Sequence, residues 1–147
     1  MKVRDVMTNP AIRIHKDEPV TVAARTMEHY NIGALPVCGS DGRICGMLTD
    51  RDIVLRCLAG ERSPGQTTVG SIMTGQVLSV GPDVDAREAA RLMGTRQIRR
   101  LPVVENGKLC GMVSLGDLAT AWERAGAEAA LTQISSPLGG ENNPENR

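Results

Sequence analysis

The chain of 147 residues contains two copies of one sequence unit. GMLTDRDI begins at Gly46, and GMVSLGDL begins 65 residues later at Gly111. Each stretch holds a glycine, a methionine, an aliphatic residue and a hydroxyl residue, with an aspartate three positions beyond the hydroxyl. Two copies of so long a period are too few for a solenoid. We therefore expect a duplicated unit whose halves pack on each other.

The match between the copies extends upstream of these stretches. VRDVMT from Val3 matches VGSIMT from Val69, and NIGALPV matches QIRRLPV, both at an offset of 66 residues. The offset falls to 65 after the loop because GSDGR is one residue longer than ENGK. Turns tolerate such insertions at little cost, so this difference supports a loop at that point.

Each copy shows the same order of secondary-structure signals. AIRIH and VLSV are apolar runs typical of strands, and TVAARTMEHY and DAREAARLMGTR have helical spacing of apolar and alanine positions. ALPVC and RLPVV lead into Asp41-Gly42 and Asn106-Gly107, which are hairpin signals, and RICGMLT and KLCGMVS are the returning strands. RDIVLRCLA and GDLATAWERAGAEAAL continue as helices. The sequence predicts a β-α-β-β-α order per copy and an α/β (α+β) fold class.

The same signals divide the chain into four parts. The first repeat covers 1–60, and a linker rich in Gly, Pro, Ser and Thr covers 61–68. The second repeat covers 69–125, and a helix extension with a disordered tail covers 126–147.

Charge and aromatic content exclude several classes of function. The chain has 17 basic and 17 acidic residues, so no overall field directs it to nucleic acid or to an anionic membrane. Tyr30 and Trp122 are its tyrosine and tryptophan, and it has no phenylalanine, so a base-stacking platform is not expected. No apolar run suits a signal peptide or a membrane span, and we expect a cytoplasmic protein.

Cysteine and histidine patterns do not indicate a metal site or an enzyme. The four cysteines form no CxxC and have no histidine at zinc-ligand spacing, so we interpret them as reduced thiols rather than as a disulfide or metal set. His15 and His29 belong to no catalytic motif, and P-loop, HExxH and GxGxxG patterns are missing from the sequence. We expect a binding module with no required cofactor.

The repeated motifs resemble the CBS domain, present here as a tandem pair, or Bateman module. The resemblance covers residues 1 to about 125 and depends on the VxxxMT opening, the LPV strand, the DG or NG hairpin and the final hydroxyl-x-x-Asp. The chain is also similar to small stand-alone bacterial CBS-pair proteins of stress responses. The resemblance implies a pseudo-twofold pair that is regulatory, binds adenine nucleotides or adenosyl ligands in clefts between the copies, and forms a homodimer.

The repeated hydroxyl and aspartate admit two interpretations. Thr49 with Asp52, and Ser114 with Asp117, precede helical runs at capping-box spacing, and capping alone explains them. In nucleotide-binding members of the family the same positions contact ribose, where a carboxylate accepts hydrogen bonds from two vicinal hydroxyls. Both roles are compatible with one residue pair.

The resemblance also assigns residues to two clefts, each combining the hydroxyl and aspartate of one copy with strand entries of the other. The favoured cleft contains Thr49, Arg51, Asp52, Gln76, Val77, Leu78, Arg99, Arg100 and Pro102. The second cleft contains Thr8, Pro10, Ala11, Gly33, Ala34, Pro36, Ser114 and Asp117. Arginine forks suit phosphate, so we expect AMP, ADP or ATP in the favoured cleft. For the second cleft we expect adenosine, a less charged adenosyl ligand or no ligand, and S-adenosylmethionine is a further candidate ligand of the pair.

Alternatives stay open at the level of sequence. The protein is either such a sensor or a structural, protein-interaction member of the family that binds no nucleotide, and NAD is a further candidate ligand. Nucleic-acid binding through the arginines is the third and least favoured hypothesis. The predicted dimer contacts are Ile53, Val54, Leu55, Leu58, Leu118, Ala119 and Trp122, which suit the core of their own copy equally well.

Overall fold

A computed structural model describes residues 1–135; the predicted disordered tail, 136–147, lies outside the described residues. The first copy contains a 3₁₀ turn Val3–Asp5, β1 Ile14–His15, α1 Val20–Tyr30, β2 Ala34–Cys38, β3 Ile44–Thr49 and α2 Asp50–Asp52, which continues as a π-helical turn Ile53–Leu58. The second copy contains α3 Val69–Ile72, α4 Ala86–Arg96, β4 Arg100–Glu105, β5 Lys108–Ser114 and α5 Leu115–Ser135.

The two copies build sheets of unequal size. In the first, β1 runs parallel to β2, and β2 runs antiparallel to β3. In the second, only β4 and β5 form a sheet, and the predicted strand VLSV is reduced to one parallel bridge between Val80 and Val103. The prediction of a full strand there is wrong. The N–H of Lys16 donates to the Cys38 carbonyl at 3.0 Å, whereas Pro82 occupies the matched position and has no N–H to donate.

The hairpins between the paired strands have the conformations that their sequences demand. Asn106 and Gly107 both have positive φ, 54° and 79°, as a tight hairpin turn requires. In the longer first loop, Gly42 alone has a positive φ, also 79°. The extra residue of GSDGR is therefore accommodated within the turn.

The predicted helices form, with one departure from regular α-helix. α1 and α4 end at Asn31 and Gln97, which adopt left-handed conformations and close the last turn. The predicted helix RDIVLRCLA begins as α-helix at Asp50–Asp52 but continues as a π-helical turn over Ile53–Leu58. Its matched counterpart α5 has no such interruption.

The opening segment of each copy packs into the other copy. Val3 lies in the core of the second copy with Leu101 and Leu118, whereas Val69 and Ile72 lie in the core of the first. This exchange interlocks the halves into one pseudo-twofold pair.

Backbone pairing secures the exchanged segments. Thr8 exchanges hydrogen bonds of 2.7 and 3.1 Å with Met112, and Thr74 exchanges bonds of 2.9 and 3.0 Å with Met47. The repeated glycine before each methionine is explained by this contact: a Cβ at Gly46 or Gly111 would lie 2.5 Å from the carbonyl oxygen of the docked threonine.

Candidate functional site

Two cavities lie where the copies meet, at positions related by the internal repeat. The first cleft has a volume of about 420 Å³ and receives residues from both copies. Its walls are formed by Gly33, Ala34, Met47, Thr49, Gln76, Leu78, Ile98, Arg99, Arg100 and Pro102.

The hydroxyl and aspartate of the first copy form a complete capping box. Thr49 Oγ1 accepts the Asp52 N–H at 3.1 Å, and Asp52 Oδ2 accepts the Thr49 N–H at 3.0 Å. Arg56 Nη1 lies 3.8 Å from Asp52 Oδ1, and the aspartate side chain is only 13% exposed. The capping interpretation is therefore realised at this position, and Oδ1 keeps capacity to accept a further hydrogen bond.

Basic groups dominate the charged walls of the first cleft. Arg99 precedes β4, Arg100 is its first residue, and both are exposed. No side chain among residues 1–135 forms an ion pair or hydrogen bond with either guanidinium. Met47, Leu78 and Ile98 supply apolar wall. The cleft thus combines apolar surface with two unengaged cations and one hydroxyl.

The second cleft is smaller, about 240 Å³, and differs in charge. Its walls are formed by Thr8, Ala11, Ile12, Ile32, Arg100, Met112, Val113, Ser114 and Asp117.

The aspartate of the second cleft is less engaged than its counterpart. Ser114 Oγ accepts the Asp117 N–H at 3.0 Å, but the reciprocal bond to the carboxylate is not formed among the described residues. Ala121 stands where the first copy has Arg56, so no basic side chain follows Asp117 one turn along the helix.

The structure places the residues predicted for the favoured cleft as follows. Thr49, Gln76, Leu78, Arg99, Arg100 and Pro102 line the first cleft. Arg51, Asp52 and Val77 are not on its walls; Asp52 lies behind Thr49 in the capping box.

The residues predicted for the second cleft divide between the two cavities. Thr8, Ala11, Ser114 and Asp117 line the second cleft, whereas Pro10 and Pro36 are on neither wall. Gly33 and Ala34 were assigned to the second cleft, but they line the first. The reason is strand pairing: Ala34 lies opposite Thr49 across the β2–β3 ladder, so it stays beside the hydroxyl of its own copy.

Sequence reasoning missed two apolar residues of the second cleft and the position of one arginine. Met112 is the repeat counterpart of Met47, so the internal repeat was a signal that could have identified it. Val113 had no such signal. Arg100 lines both clefts, which one sequence motif does not reveal.

The helices predicted to form the dimer interface have mixed exposure. Ile53 and Leu118 are buried in the cores of their own copies, which corrects their prediction as interface contacts. Val54, Leu55 and Leu58 are each just over half exposed and form an apolar surface on the π-helical turn. Trp122 is partly exposed on α5.

The described residues were also compared with what a disulfide, a metal site or a membrane span requires. All four cysteines are free, with Cys38 and Cys57 buried, and burial raises the pKa of the Cys38 thiol. Within residues 1–135, no three His, Cys, Asp or Glu side chains gather closely enough to hold a metal ion. None of the helices in this part of the chain has the length and apolar content needed to span a membrane.

Comparison with known proteins identifies the family. The model of the CBS domain matches residues 3–58 and again residues 69–124. The chain therefore belongs to the CBS-domain family and contains two CBS repeats, a Bateman module.

The chain is similar to small CBS proteins along most of its length. It is 42% identical over 134 residues to the CBS domain-containing protein YhcV of Bacillus subtilis, covering 90% of this chain and 94% of that protein. It is 35% identical over 135 residues to Hypoxic response protein 1 of Mycobacterium tuberculosis, covering 92% of this chain and 94% of that protein.

Solved structures share the architecture. The crystal structure of Hypoxic Response Protein I with two coordinated zinc ions matches with a TM-score of 0.75 and 37% identity, covering 82% of this chain and 98% of that one. The CBS domain pair of protein MJ0100, in complex with 5-methylthioadenosine and S-adenosyl-L-methionine, matches with a TM-score of 0.72 and 26% identity, covering 85% of this chain and 98% of that one. The fold is thus a mixed α/β CBS pair.

Proposed function

We propose that this CBS pair is a regulatory sensor that binds AMP, ADP or ATP in the first cleft. The observation that carries the proposal is the pair of unengaged arginines, Arg99 and Arg100, which line a cavity of about 420 Å³ together with Thr49. Cavities of this size suit small organic ligands, which bind through apolar walls and a few placed polar groups.

Each part of a nucleotide has a matching part of the cleft in this proposal. The two guanidinium groups bind the phosphate groups through charge-assisted, forked hydrogen bonds. The adenine ring packs against Met47, Leu78 and Ile98, and the ribose lies beside Thr49. Asp52, behind Thr49, keeps the cap through Oδ2 and turns Oδ1 toward the ribose hydroxyls when the ligand binds.

The second cleft takes a less charged adenosyl ligand in this proposal. Its smaller volume and the carboxylate of Asp117 suit adenosine or S-adenosylmethionine better than a polyphosphate. The MJ0100 pair, which was crystallised with 5-methylthioadenosine and S-adenosyl-L-methionine, supports this ligand class.

Ligand binding regulates through the arrangement of the copies, because a ligand that contacts both copies favours the arrangement that it fits best. A second copy of the chain docks on the apolar surface of Val54, Leu55 and Leu58 with Trp122, forming a homodimer. The dimer would present the ligand-dependent arrangement to a protein partner.

One observation favours a second candidate function. Thr49 and Asp52 satisfy each other in a complete capping box, as expected in a structural or protein-interaction member of the family that binds no nucleotide. The two candidates differ in what Asp52→Ala changes, namely ligand affinity as well as stability in the first case and stability alone in the second.

The test is calorimetric titration and thermal shift with AMP, ADP, ATP and S-adenosylmethionine. We expect saturable binding of at least one adenine nucleotide, weakened about tenfold or more in Arg99→Ala because a charged hydrogen-bonding group is lost. Asp52→Ala and Asp117→Ala report on the first and second clefts. Arg96→Ala, on the exposed end of α4, is the control for removing a surface arginine. No response at millimolar ligand would refute the sensor and favour the second candidate.

A further inference from the structure

Arg100 occupies a position that no other described residue shares. It is the one residue, among those the structure describes, that lines both clefts. It is exposed, and none of the side chains in residues 1–135 holds it by an ion pair or a hydrogen bond. Its guanidinium is therefore available to a ligand in either cavity.

The internal twofold is broken at this residue. Arg100 begins β4 opposite Ser114, just as Ala34 begins β2 opposite Thr49. The alanine methyl group lines only the first cleft, whereas the longer arginine contributes to both walls. The two clefts thus draw on a single cation that only one copy supplies.

The charge balance of each cleft depends on where that cation is engaged. The first cleft has Arg99 besides Arg100 and no carboxylate on its walls. The second cleft has Asp117 as its other charged wall residue, and the helix position of Arg56 is Ala121. When the Arg100 guanidinium binds a ligand in the first cleft, the second cleft carries the uncompensated negative charge of Asp117.

Resting on the proposed nucleotide site, we propose that Arg100 sets the ligand preference of both clefts. Binding a phosphate group in the first cleft engages its guanidinium, so the second cleft then selects an uncharged or cationic adenosyl ligand and rejects a second nucleotide. AMP in the first cleft therefore raises the affinity of the second cleft for a cationic ligand. A cationic ligand in the second cleft raises the affinity for AMP by the same factor, because linkage between two sites is reciprocal.

The experiment measures AMP stoichiometry by calorimetry and then titrates S-adenosylmethionine, whose net charge is positive, into the AMP-saturated protein. The wild-type chain binds one AMP, and AMP loading strengthens the second-cleft binding of S-adenosylmethionine by roughly fivefold or more. Asp117→Ala removes that second-cleft binding. Asp117→Asn, which removes the negative charge but keeps the shape, raises the stoichiometry to two AMP per chain.

Three arginine variants isolate the shared residue. Arg100→Ala installs the residue of the matched position, weakens AMP binding and abolishes the effect of AMP on S-adenosylmethionine when both proteins are compared at saturating AMP. Arg99→Ala weakens AMP but keeps the coupling, and Arg96→Ala changes neither. Arg100→Lys keeps the charge without the fork and retains part of the coupling.

The outcomes separate the two proposals. Failure of every adenosyl ligand to bind overturns the proposed function and this inference together. AMP binding that is sensitive to Arg99→Ala, but with two equal sites per chain or with coupling unchanged in Arg100→Ala, keeps the proposed function and overturns the role of Arg100.

Discussion

Thr49 and Asp52 in the first copy and Ser114 and Asp117 in the second occupy equivalent positions, yet their carboxylates are held differently. Asp52 accepts the Thr49 N–H and lies near Arg56, whereas Asp117 forms neither interaction within the described chain and lines a cavity instead. One sequence pattern therefore supports a structural cap in one copy and leaves a carboxylate available to a ligand in the other. The pattern alone does not assign the role; the neighbouring residues do.

The largest predicted effect concerns the two cores. Leu35 and Leu101 are matched residues with 0% exposure. We expect Leu35→Ala and Leu101→Ala each to lower the free energy of unfolding by about 2–5 kcal/mol, because each leaves a cavity. Since the opening segments are exchanged, both variants should unfold in a single transition in urea, followed by circular dichroism. Two separate transitions would show that the halves are independent.

The glycines that contact the exchanged segments give the next effect. We expect Gly46→Ala and Gly111→Ala to reduce stability by about 1–3 kcal/mol through overpacking against the threonine carbonyls. Gly94→Ala is the control, because a Cβ there meets nothing within 4 Å and alanine favours the helix by about 0.5–1 kcal/mol. Denaturant melts of the three variants test this order. Equal stability of Gly94→Ala and Gly111→Ala would contradict the close contact.

A smaller predicted effect on stability tests the difference between the two aspartates. Asp52→Ala should lower the free energy of unfolding by about 1 kcal/mol, as loss of a helix cap does, and Asp117→Ala by clearly less. Thermal and urea denaturation without ligand provide the measurement. An equal loss in both variants would mean that the two carboxylates are equally structural.

The smallest predicted effect on stability concerns an exposed ion pair between Arg4 and Asp83, which the matched positions of the other half do not form. Arg4 donates two hydrogen bonds to Asp83 Oδ1, and this contact holds the pKa of Asp83 below its ordinary value of 3.8. The ionised carboxylate therefore contributes stability above that ordinary value, and the contribution is lost as the pH falls through the lowered pKa. The counterparts of Arg4 and Asp83 are Gly70 and Asp17, so the first half lacks the guanidinium.

We expect Asp83→Asn to cause a small, salt-sensitive loss of thermal stability at neutral pH that disappears in acid. Asp17→Asn is the matched control. It should lack this salt-sensitive loss at neutral pH, because the residue matched to Arg4 is Gly70. Melting curves from pH 7 to below pH 3, at low and high salt, measure the difference. A loss that persists at the acid end would contradict the ion pair as its cause.

Much of the fold was predictable because its signals are local. Asn106-Gly107 specifies a hairpin through the conformations that these residues tolerate, and the periodicity of α1 and α4 specifies helices. The strand VLSV was predicted wrongly because a strand needs a partner along its length, and Pro82 removes one of the donors. The π-helical turn Ile53–Leu58 had no sequence signal that distinguished it from α-helix.

The duplication, the helices and the hairpin of each copy could be predicted from the sequence. These properties follow from spacing along the chain and from local backbone preference. Three features came from the tertiary structure alone: Gly33 and Ala34 line the first cleft, Val3 and Val69 each lie in the core of the opposite copy, and Arg100 lines both cavities. These placements depend on strand pairing within a copy and on packing between the copies, and both join residues that are distant along the chain, so no local sequence pattern encodes them.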